Sequence, residues 1–241
     1  MTSPLRYKRV LLKVSGEALL GSQSFGIDDT VLGRIADEIA EAVAMGVKVG
    51  VVVGGGNLFR GMRIQKAGGN RVAGDQMGML ATVMNAIALR AKLAETGVPA
   101  RVFSAIAMPE ICETYSQYAA EAAFESGEVL LFAAGAGIPF VTTDSGAALR
   151  AAELGCDALF KATQVDGVYS ADPKKSKDAV RYERLTWDDV LAKGLQVMDA
   201  GAIALARDNG IPIIVFSILQ PGAFVDILKG KGRATVVSAT G

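Results

Sequence analysis

The side chains in this sequence that are best suited to chemistry are two lysines in apolar surroundings and an aspartate at the start of a helical pattern. Lys13 lies inside an apolar run and precedes Ser15 and Gly16, and Lys161 lies in a second apolar run. Phosphoryl transfer needs charge neutralisation and alignment more than a covalent nucleophile. Lys13 could therefore bridge phosphates, and a charge on an edge strand that aids solubility is the alternative.

Asp144 and Lys161 each allow two interpretations. Asp144 is well placed as the N-cap of a helix that ends at Leu154, and it could also orient the lysines. Lys161 either snorkels its ammonium group to the surface or supplies a second cation that neutralises phosphate. The spacing of these residues does not choose between the alternatives.

Composition excludes several other chemistries. The sequence has no histidine, which removes the commonest general base, the Ser-His-Asp and Cys-His arrangements, and most zinc sites. Lysine and arginine number 25 against 25 aspartates and glutamates, so nothing suggests a nucleic-acid partner. Cys112 and Cys156 are far apart and form no CxxC motif, which fits a reduced intracellular protein.

The sequence also predicts where the protein is found. The amino-terminal residues contain no apolar signal core, and no later run reaches the roughly 18 uncharged apolar residues that a membrane span requires. A soluble, cytoplasmic protein that does not bind membranes is therefore expected.

Three consecutive glycines, Gly54 to Gly56, follow an apolar run and precede Asn57 and Arg60. A loop without side chains can adopt positive φ and lets backbone N–H groups approach an anion closely, which suits phosphate. A tight strand-to-helix turn with no ligand is the alternative. Neither a P-loop nor a Gly-x-Gly-x-x-Gly motif after a strand is present, and Gly135-Ala136-Gly137 lacks the third glycine.

Strand and helix patterns alternate along the chain and must position these residues. Strands are predicted at residues 9–14, 47–53, 101–106, 129–133, 139–142, 158–162, 212–218 and 234–238. Helices are predicted from Asp28 or Asp29 to Gly46 and at residues 71–96, 110–126, 144–154, 187–193, 198–208 and 221–228. This alternation predicts an α/β protein, a three-layer α/β/α sandwich with a mostly parallel central sheet, formed by one domain over residues 1–241.

Two segments need separate comment. Residues 170–181 are polar and contain Asp172-Pro173, which predicts a surface excursion. The helix at residues 71–96 is apolar on most sides, with Met77, Leu80, Met84 and Ile87 in one stripe. Burial at a subunit interface and burial in the core of one subunit explain that pattern equally well.

Several motifs, in this order and spacing, resemble those of the bacterial uridylate kinases, a group within the amino-acid-kinase fold family. The motifs are Lys13-Val-Ser-Gly-Glu-Ala, Gly54-Gly-Gly-Asn-Leu-Phe-Arg-Gly, Asn70-Arg-Val-Ala-Gly-Asp, Phe140-Val-Thr-Thr-Asp-Ser and Lys161-Ala-Thr-Gln-Val-Asp-Gly-Val-Tyr. The similarity runs in register from about Tyr7 to the carboxyl terminus, and the part from Gly54 to Asn85 is specific to this group.

The resemblance implies transfer of the γ-phosphoryl group of ATP to UMP, with Mg²⁺ accompanying ATP, in pyrimidine nucleotide biosynthesis. It implies catalytic roles for Lys13, Asp144 and Lys161. The implied ATP contacts are Lys13, Val14, Ser15, Gly16, Gly56, Arg60, Thr163, Tyr169 and Asp172. The implied UMP contacts are Gly55, Asp75, Ala136, Gly137, Ile138, Pro139, Phe140, Val141, Thr142 and Thr143.

The resemblance also implies a homohexamer that GTP activates and UTP inhibits. Arg90 and Arg101 keep basic positions associated with the GTP site, but Ala94, Gln117 and Glu128 stand where some members carry His, Trp and Arg. The sequence therefore leaves activation by GTP open.

Two other functions remain as alternatives. A kinase of the same fold with a carboxylate or carbamate acceptor should lack the Asn70 to Asn85 stretch, which is present. A non-catalytic nucleotide-binding or storage protein could dispense with Lys13 and Asp144, which are also present. Both features favour the UMP kinase.

Overall fold

The computed structural model describes residues 5–59, 70–173, 175–176, 178–195 and 197–241. In this part of the chain the strands are β1 (Arg9–Val14), β2 (Lys48–Val53), β3 (Ala100–Ser104), β4 (Glu113–Thr114), β5 (Val129–Ala133), β6 (Ala158–Thr163), β7 (Val168–Tyr169), β8 (Arg181–Tyr182), β9 (Arg184–Thr186), β10 (Ile213–Ser217) and β11 (Thr235–Ser238). The α-helices are α1 (Asp29–Ala44), α2 (Arg71–Glu95), α3 (Gln117–Glu125), α4 (Thr143–Glu153), α5 (Trp187–Ala192), α6 (Ala200–Asp208) and α7 (Ala223–Leu228).

The described strands form a nine-stranded sheet in the order β4-β3-β5-β2-β1-β6-β10-β11-β9, and β7 pairs with β8 in a separate hairpin. Every neighbouring pair in the large sheet is parallel except β10 and β11. Strands β1 and β2, which the sequence predicts from their apolar β-branched runs, lie side by side near the centre. Their carboxyl ends therefore deliver Ser15 and the three glycines to one edge of the sheet.

Two hydrophobic cores cover the two faces of the sheet. Strand residues alternate between them: Val10, Leu12 and Val14 pack on one face with α1, α2 and α7. Leu11 packs on the other face with α3, α4, α5 and α6. This arrangement confirms the predicted α/β fold with a mostly parallel central sheet and helices on both sides.

Two of the predicted elements are wrong. Residues 139–142 form no strand, because Phe140 has a positive φ of 68° and the segment turns instead of pairing. The helix predicted to begin at residue 110 begins at Gln117, because Glu113 and Thr114 pair in parallel with β3 first. The structure also adds a 3₁₀ helix at Gly16–Leu20, for which the sequence predicted no helix.

Helix α2 contributes to the core and also carries an exposed apolar stripe. Met79, Val83, Ala86 and Leu89 are buried against the sheet, whereas Met77, Leu80 and Met84 are 45%, 51% and 57% exposed. By length and composition alone, α2 is the one helix in the described residues that could cross a membrane, and 44% of its apolar window is buried. The interpretation of α2 as a core helix is therefore confirmed for its buried face, and the interpretation as part of a subunit interface stays a prediction for the exposed stripe.

Candidate active site

Lys13 and Lys161 lie side by side because they are register partners in the parallel strands β1 and β6. Between them lies the Asp144 carboxylate, with Oδ1 2.7 Å from the Lys13 Nζ and Oδ2 2.7 Å from the Lys161 Nζ. The contact with Lys161 is a hydrogen bond. The contact with Lys13 is an ion pair. One carboxylate thus holds two ammonium groups that would otherwise repel each other.

Burial makes this cluster electrostatically strong. The side chains of Lys13, Asp144 and Lys161 are only 9%, 14% and 12% exposed. Burial raises the pKa of Asp144, but attraction by Lys13 and Lys161 outweighs it and the net pKa is lowered. Burial and repulsion by Lys13 both lower the pKa of Lys161, and attraction by Asp144 raises it. The lowering effects are larger, so the net pKa of Lys161 is lowered. Asp144 is therefore ionised at neutral pH.

The start of helix α4 sets the position of Asp144. The expectation that Asp144 caps this helix is wrong: Thr142 is the N-cap, and its hydroxyl accepts hydrogen bonds from the N–H groups of Asp144 and Ser145. Because Thr142 satisfies these donors, the Asp144 carboxylate is free to face the lysines.

Asp199, the N-cap of helix α6, contacts residues on both sides of Asp144 at the start of helix α4. Its carboxylate accepts hydrogen bonds from the hydroxyls of Thr142 and Ser145, the latter at 2.8 Å. It also accepts from the N–H of Ala202 at 2.9 Å. The beginnings of α4 and α6 are therefore fastened together directly behind Asp144.

The glycine loop after β2 packs against the turn after β1. A Cβ atom on Gly16 would lie 2.4 Å from the Gly54 carbonyl oxygen and 2.6 Å from the Gly56 nitrogen, and one on Gly55 would lie 2.7 Å from the Gly78 oxygen. None of Gly54, Gly55 and Gly56 has a positive φ. Glycine is needed at Gly16 and Gly55 for close backbone approach, and the conformational freedom considered from the sequence is not used.

A buried pair of amides anchors this loop to helix α2. The Asn85 amide nitrogen donates to the Gly54 carbonyl and to the Asn57 amide oxygen, both at 2.7 Å. The Asn57 amide nitrogen donates back to Asn85 and to the Gly26 carbonyl, both at 3.0 Å. Both side chains are buried, so this hydrogen-bond network fixes the position of the glycine loop relative to helix α2.

A cavity of about 450 Å³, counting its open mouth, lies between the glycine loop, α2 and the start of α4; we call it the smaller cavity. Its described lining is Gly55, Gly56, Phe59, Asp75, Gly78, Met79, Thr82, Ala134, Gly135, Val141 and Thr143. Asp75 on its wall accepts a hydrogen bond of 2.8 Å from the N–H of Phe140. The segment from Ala136 to Thr142 thereby borders the cavity as a loop. At Gly137, where φ is 78°, a Cβ atom would lie 2.9 Å from the Ala105 carbonyl oxygen.

A second cavity of about 940 Å³, again counting open space, lies on the other side of the lysines; we call it the larger cavity. Its described lining is Lys13, Ser15, Glu17, Lys161, Ala162, Thr163, Gln164, Val165, Gly167, Val168, Asp172, Val197 and Val215. Both lysines therefore face this cavity, and Thr143, the neighbour of Asp144, faces the smaller one. The charged cluster therefore borders the larger cavity through Lys13 and Lys161 and is next to the lining of the smaller one through Thr143.

A family model described as the amino acid kinase family matches residues 8–217. This chain belongs to the amino acid kinase family. A uridylate kinase of Mesorhizobium japonicum is 61% identical over 238 residues, which is 99% of each chain, and one of Brucella abortus has the same identity and coverage. The crystal structure of a UMP kinase from Bacillus anthracis is also similar, with a TM-score of 0.93 and 38% identity, and the match covers 98% of this chain and 97% of that one.

In the fold of this amino acid kinase, ten of the 21 predicted site residues line one of the two cavities, and Asp144, Thr142 and the residues from Ala136 to Phe140 line neither. Gly55, Asp75, Val141 and Thr143 line the smaller cavity, and so does Gly56, which the resemblance assigns to ATP. Lys13, Ser15, Lys161, Thr163 and Asp172 line the larger one. Val14, Gly16 and Tyr169 lie beside lining residues without lining a cavity themselves. Arg60 lies outside the described residues.

Sequence reasoning about this family member missed Asn85, Thr82 and Asp199. The Thr82 hydroxyl accepts a hydrogen bond of 2.7 Å from the N–H of Ala134, which holds the loop after β5. Asn85 is buried on the face of α2 that packs into the core, and an amide between the apolar residues Met84 and Ala86 was the signal that could have identified it. Asp199 gave no comparable signal, because its partners Thr142 and Ser145 lie more than 50 residues away in sequence.

Proposed function

We propose that this chain is an ATP-dependent UMP kinase that transfers the γ-phosphoryl group of ATP to UMP and forms UDP and ADP. The observation that carries the proposal is the Asp144 carboxylate, which holds two buried lysine ammonium groups at 2.7 Å beside two cavities. The choice of acceptor is supported by uridylate kinases 61% identical to this chain over 99% of its length.

In the reaction that we propose, a phosphate oxygen of UMP attacks the γ-phosphorus of ATP and the bond to the bridging oxygen of ADP breaks. The attacking oxygen is already ionised at neutral pH, so the absence of histidine is no obstacle. Lys13 and Lys161 would neutralise charge on the moving phosphoryl group, and Asp144 would keep both ammonium groups in place. Their burial strengthens this attraction, because little water screens it.

We assign ATP to the larger cavity, which both lysines line, and UMP to the smaller one, which Asp75 lines. The lining divides along the chain: residues 55–143 form the smaller cavity, and residues 13–17 and 161–215 form the larger. This division supports binding of UMP mainly by the amino-terminal part and of ATP mainly by the carboxyl-terminal part. That both parts belong to a single domain over residues 1–241 remains part of the proposal. The individual contacts implied by the resemblance, including Arg60, remain part of the proposal.

Mg²⁺ would enter with ATP. In the part of the chain that the structure describes, no group of three or more Cys, Asp and Glu side chains could hold a metal ion. Both oxygens of Asp144 already face lysines. The described residues therefore do not fit a metal site made by the protein, and we propose that the phosphates of ATP carry the ion.

We further propose that the chain forms a homo-oligomer, a hexamer by resemblance, in the cytoplasm. The exposed stripe of Met77, Leu80 and Met84 on α2 supports self-association, because a soluble monomer rarely leaves such a row uncovered. Burial of the opposite face of α2 in the core supports a helix of a water-soluble fold over a membrane span.

At the position that the resemblance suggests for GTP, Arg101 is already paired with carboxylates. The Arg101 guanidinium is paired with Glu128, at 3.1 Å from Nε, and with Glu113 at 3.5 Å. These carboxylates compete with any phosphate for the arginine. We propose that GTP activates weakly or not at all through Arg101, whereas inhibition by UTP, an analogue of the product, remains part of the proposal.

The test of this function is a panel of acceptors. ADP formation from ATP and Mg²⁺ would be measured with UMP, CMP, glutamate or carbamate. We expect strong stimulation by UMP and little by glutamate or carbamate. Stimulation by glutamate or carbamate alone would replace the proposal with another kinase of the same fold, and ATP binding with no stimulated turnover would favour a non-catalytic protein.

A further inference from the structure

One wall of the larger cavity is fastened to residues near the carboxyl terminus that the proposed reaction does not use. The wall is the segment from Thr163 to Val168, of which all residues but Asp166 line the cavity. Asp166 does not line the cavity, and its Oδ2 lies 2.7 Å from the Nε of Arg233. Its Oδ1 accepts a hydrogen bond of 2.6 Å from the Tyr169 hydroxyl. One carboxylate thus joins Arg233 to both ends of the turn that closes the wall.

The two residues after Arg233 make further contacts with the same wall. The Ala234 carbonyl accepts a hydrogen bond of 2.9 Å from the Arg181 guanidinium of strand β8. The buried Thr235 hydroxyl accepts one of 2.9 Å from the N–H of Val168 and donates one to the Tyr182 carbonyl. Three consecutive residues therefore hold the wall and both strands of the β7–β8 hairpin.

The space around the turn leaves little room for it to shift while these contacts hold. Gly167, between Asp166 and Val168, has a φ of 155°, and a Cβ atom there would lie 2.5 Å from the Thr235 hydroxyl and 3.1 Å from the Arg181 side chain. Burial raises the pKa of Asp166, but the Tyr169 hydrogen bond and the Arg233 charge outweigh it, so the net pKa is lowered and the carboxylate is ionised at neutral pH. Arg233 can therefore hold it at the pH of any ordinary assay.

We propose that Arg233 is a positioning residue for the nucleotide donor. Arg233 holds Asp166 in place, and Asp166 holds the wall from Thr163 to Val168 in place. Loss of Arg233 should therefore weaken binding of the donor and leave binding of the acceptor unchanged. The inference rests on the proposed function for the identity of the donor. No lining residue of the smaller cavity is among the contacts that hold this wall. Arg233 is 61% exposed at its side chain, so its replacement should leave the folded protein intact.

The test compares Arg233→Ala with Arg233→Lys and with Arg207→Ala, a control that removes another exposed, ion-paired arginine, on helix α6. Binding of a non-hydrolysable ATP analogue would be measured by calorimetry without UMP, and KM values for ATP and UMP would be measured in the full reaction. For Arg233→Ala we expect the Kd and the KM of the donor to rise about three- to fivefold, in the upper part of the range for an exposed ion pair. The kcat and the KM for UMP should not change, and Arg233→Lys should recover part of the donor affinity.

A double-mutant cycle with Asp166→Asn identifies the route of the effect. If Arg233 acts through Asp166, the two substitutions together should weaken donor binding no more than Asp166→Asn alone. Unchanged donor binding in Arg233→Ala, an equal rise in the KM for UMP, or an equal effect of Arg207→Ala would overturn the inference. Calorimetry separates it from the proposed function, because weaker donor binding in Arg233→Ala would stand even if the wild-type protein did not phosphorylate UMP.

Discussion

At the scale of single residues, the chemistry of this protein depends on a carboxylate that keeps two cations together. Lys13 and Lys161 are register partners and would repel each other without Asp144. The sequence could identify all three residues as candidates, because each interrupts an apolar or hydroxyl-rich pattern. It could not place them together, since that depends on β6 pairing beside β1 with about 145 residues between them.

Asp144→Asn should lower kcat about 100-fold or more, in the range found when one charge-stabilising group is lost. Burial and Lys13 already lower the pKa of Lys161, and Asp144 opposes them. Without that opposition the pKa falls further, so the alkaline decline in kcat should begin at a lower pH than in the wild type. Asp188→Asn, which removes a carboxylate exposed on α5, is the matched control. An unchanged pH profile together with full activity would remove Asp144 from the mechanism.

The glycines near the site should differ sharply in their tolerance of a methyl group. Gly16→Ala would place its Cβ 2.4 Å from the Gly54 oxygen, whereas in Gly56→Ala the nearest atom would be Glu17 Cγ at 3.5 Å, an ordinary contact. We expect Gly16→Ala to lower the free energy of unfolding by about 1–3 kcal/mol, as overpacking does. Gly56→Ala should change it by less than about 1 kcal/mol. Chemical denaturation measures both, and equal losses would contradict the close approach at Gly16.

At the scale of elements, the sequence predicts buried strands well and loops poorly. The strands β1, β2 and β5 are nearly continuous apolar runs, and such runs are typical of strands in a sheet that is covered on both faces. The segment Ile138-Pro139-Phe140-Val141 has a similar apolar character, yet it is a loop. Its Phe140 N–H bonds to Asp75 on another element, and its φ is positive. Such contacts depend on the tertiary structure, and local composition does not reveal them.

Glu38 of helix α1 contacts the start of helix α7, and its ionisation should make the stability of the fold depend on pH. It is buried, and its carboxylate accepts hydrogen bonds from the N–H groups of Gly222 and Phe224, at 3.0 and 3.2 Å. Burial raises its pKa more than these donors and Arg34 lower it, so the net pKa lies above the ordinary value of 4.5. The folded state then binds more protons than the unfolded state just above pH 4.5, and ionisation of Glu38 costs stability as pH rises through that range.

Glu38→Gln removes this titration and keeps one acceptor oxygen. The free energy of unfolding of the wild type minus that of Glu38→Gln should therefore decrease as the pH rises from about 4 to 7. Urea denaturation at several pH values measures this difference. A difference that grows with pH would mean that the hydrogen bonds from Gly222 and Phe224 outweigh the burial of the charge.

At the scale of the whole molecule, one sheet places two cavities on either side of a shared charged cluster, and α2 connects the site to the surface. Asn85 and Thr82 on α2 hold the loops after β2 and β5, while Met77, Leu80 and Met84 face outward. The sequence indicated the apolar character of this helix. It could not divide the residues between core and surface, because apolar residues occur on both faces.

Leu80→Glu should weaken self-association by placing a charge in the exposed stripe of α2. Val180→Glu is the matched control. Val180 is also an exposed apolar residue, with 64% of its surface exposed against 51% for Leu80, and it lies outside α2 in the polar segment at residues 170–181. Light scattering after size-exclusion chromatography would measure the molar mass of each variant. We expect a smaller assembly for Leu80→Glu alone. A wild-type protein that is monomeric at all concentrations would show that the stripe is not a subunit interface.

The central claim is that this protein moves the γ-phosphoryl group of ATP onto UMP. The most direct measurement follows that group, by mass spectrometry of the products formed from ATP labelled with ¹⁸O in its γ-phosphate. The account predicts that the label appears in the terminal phosphate of UDP in step with ADP formation. Release of the label as inorganic phosphate, with no labelled UDP, would contradict it.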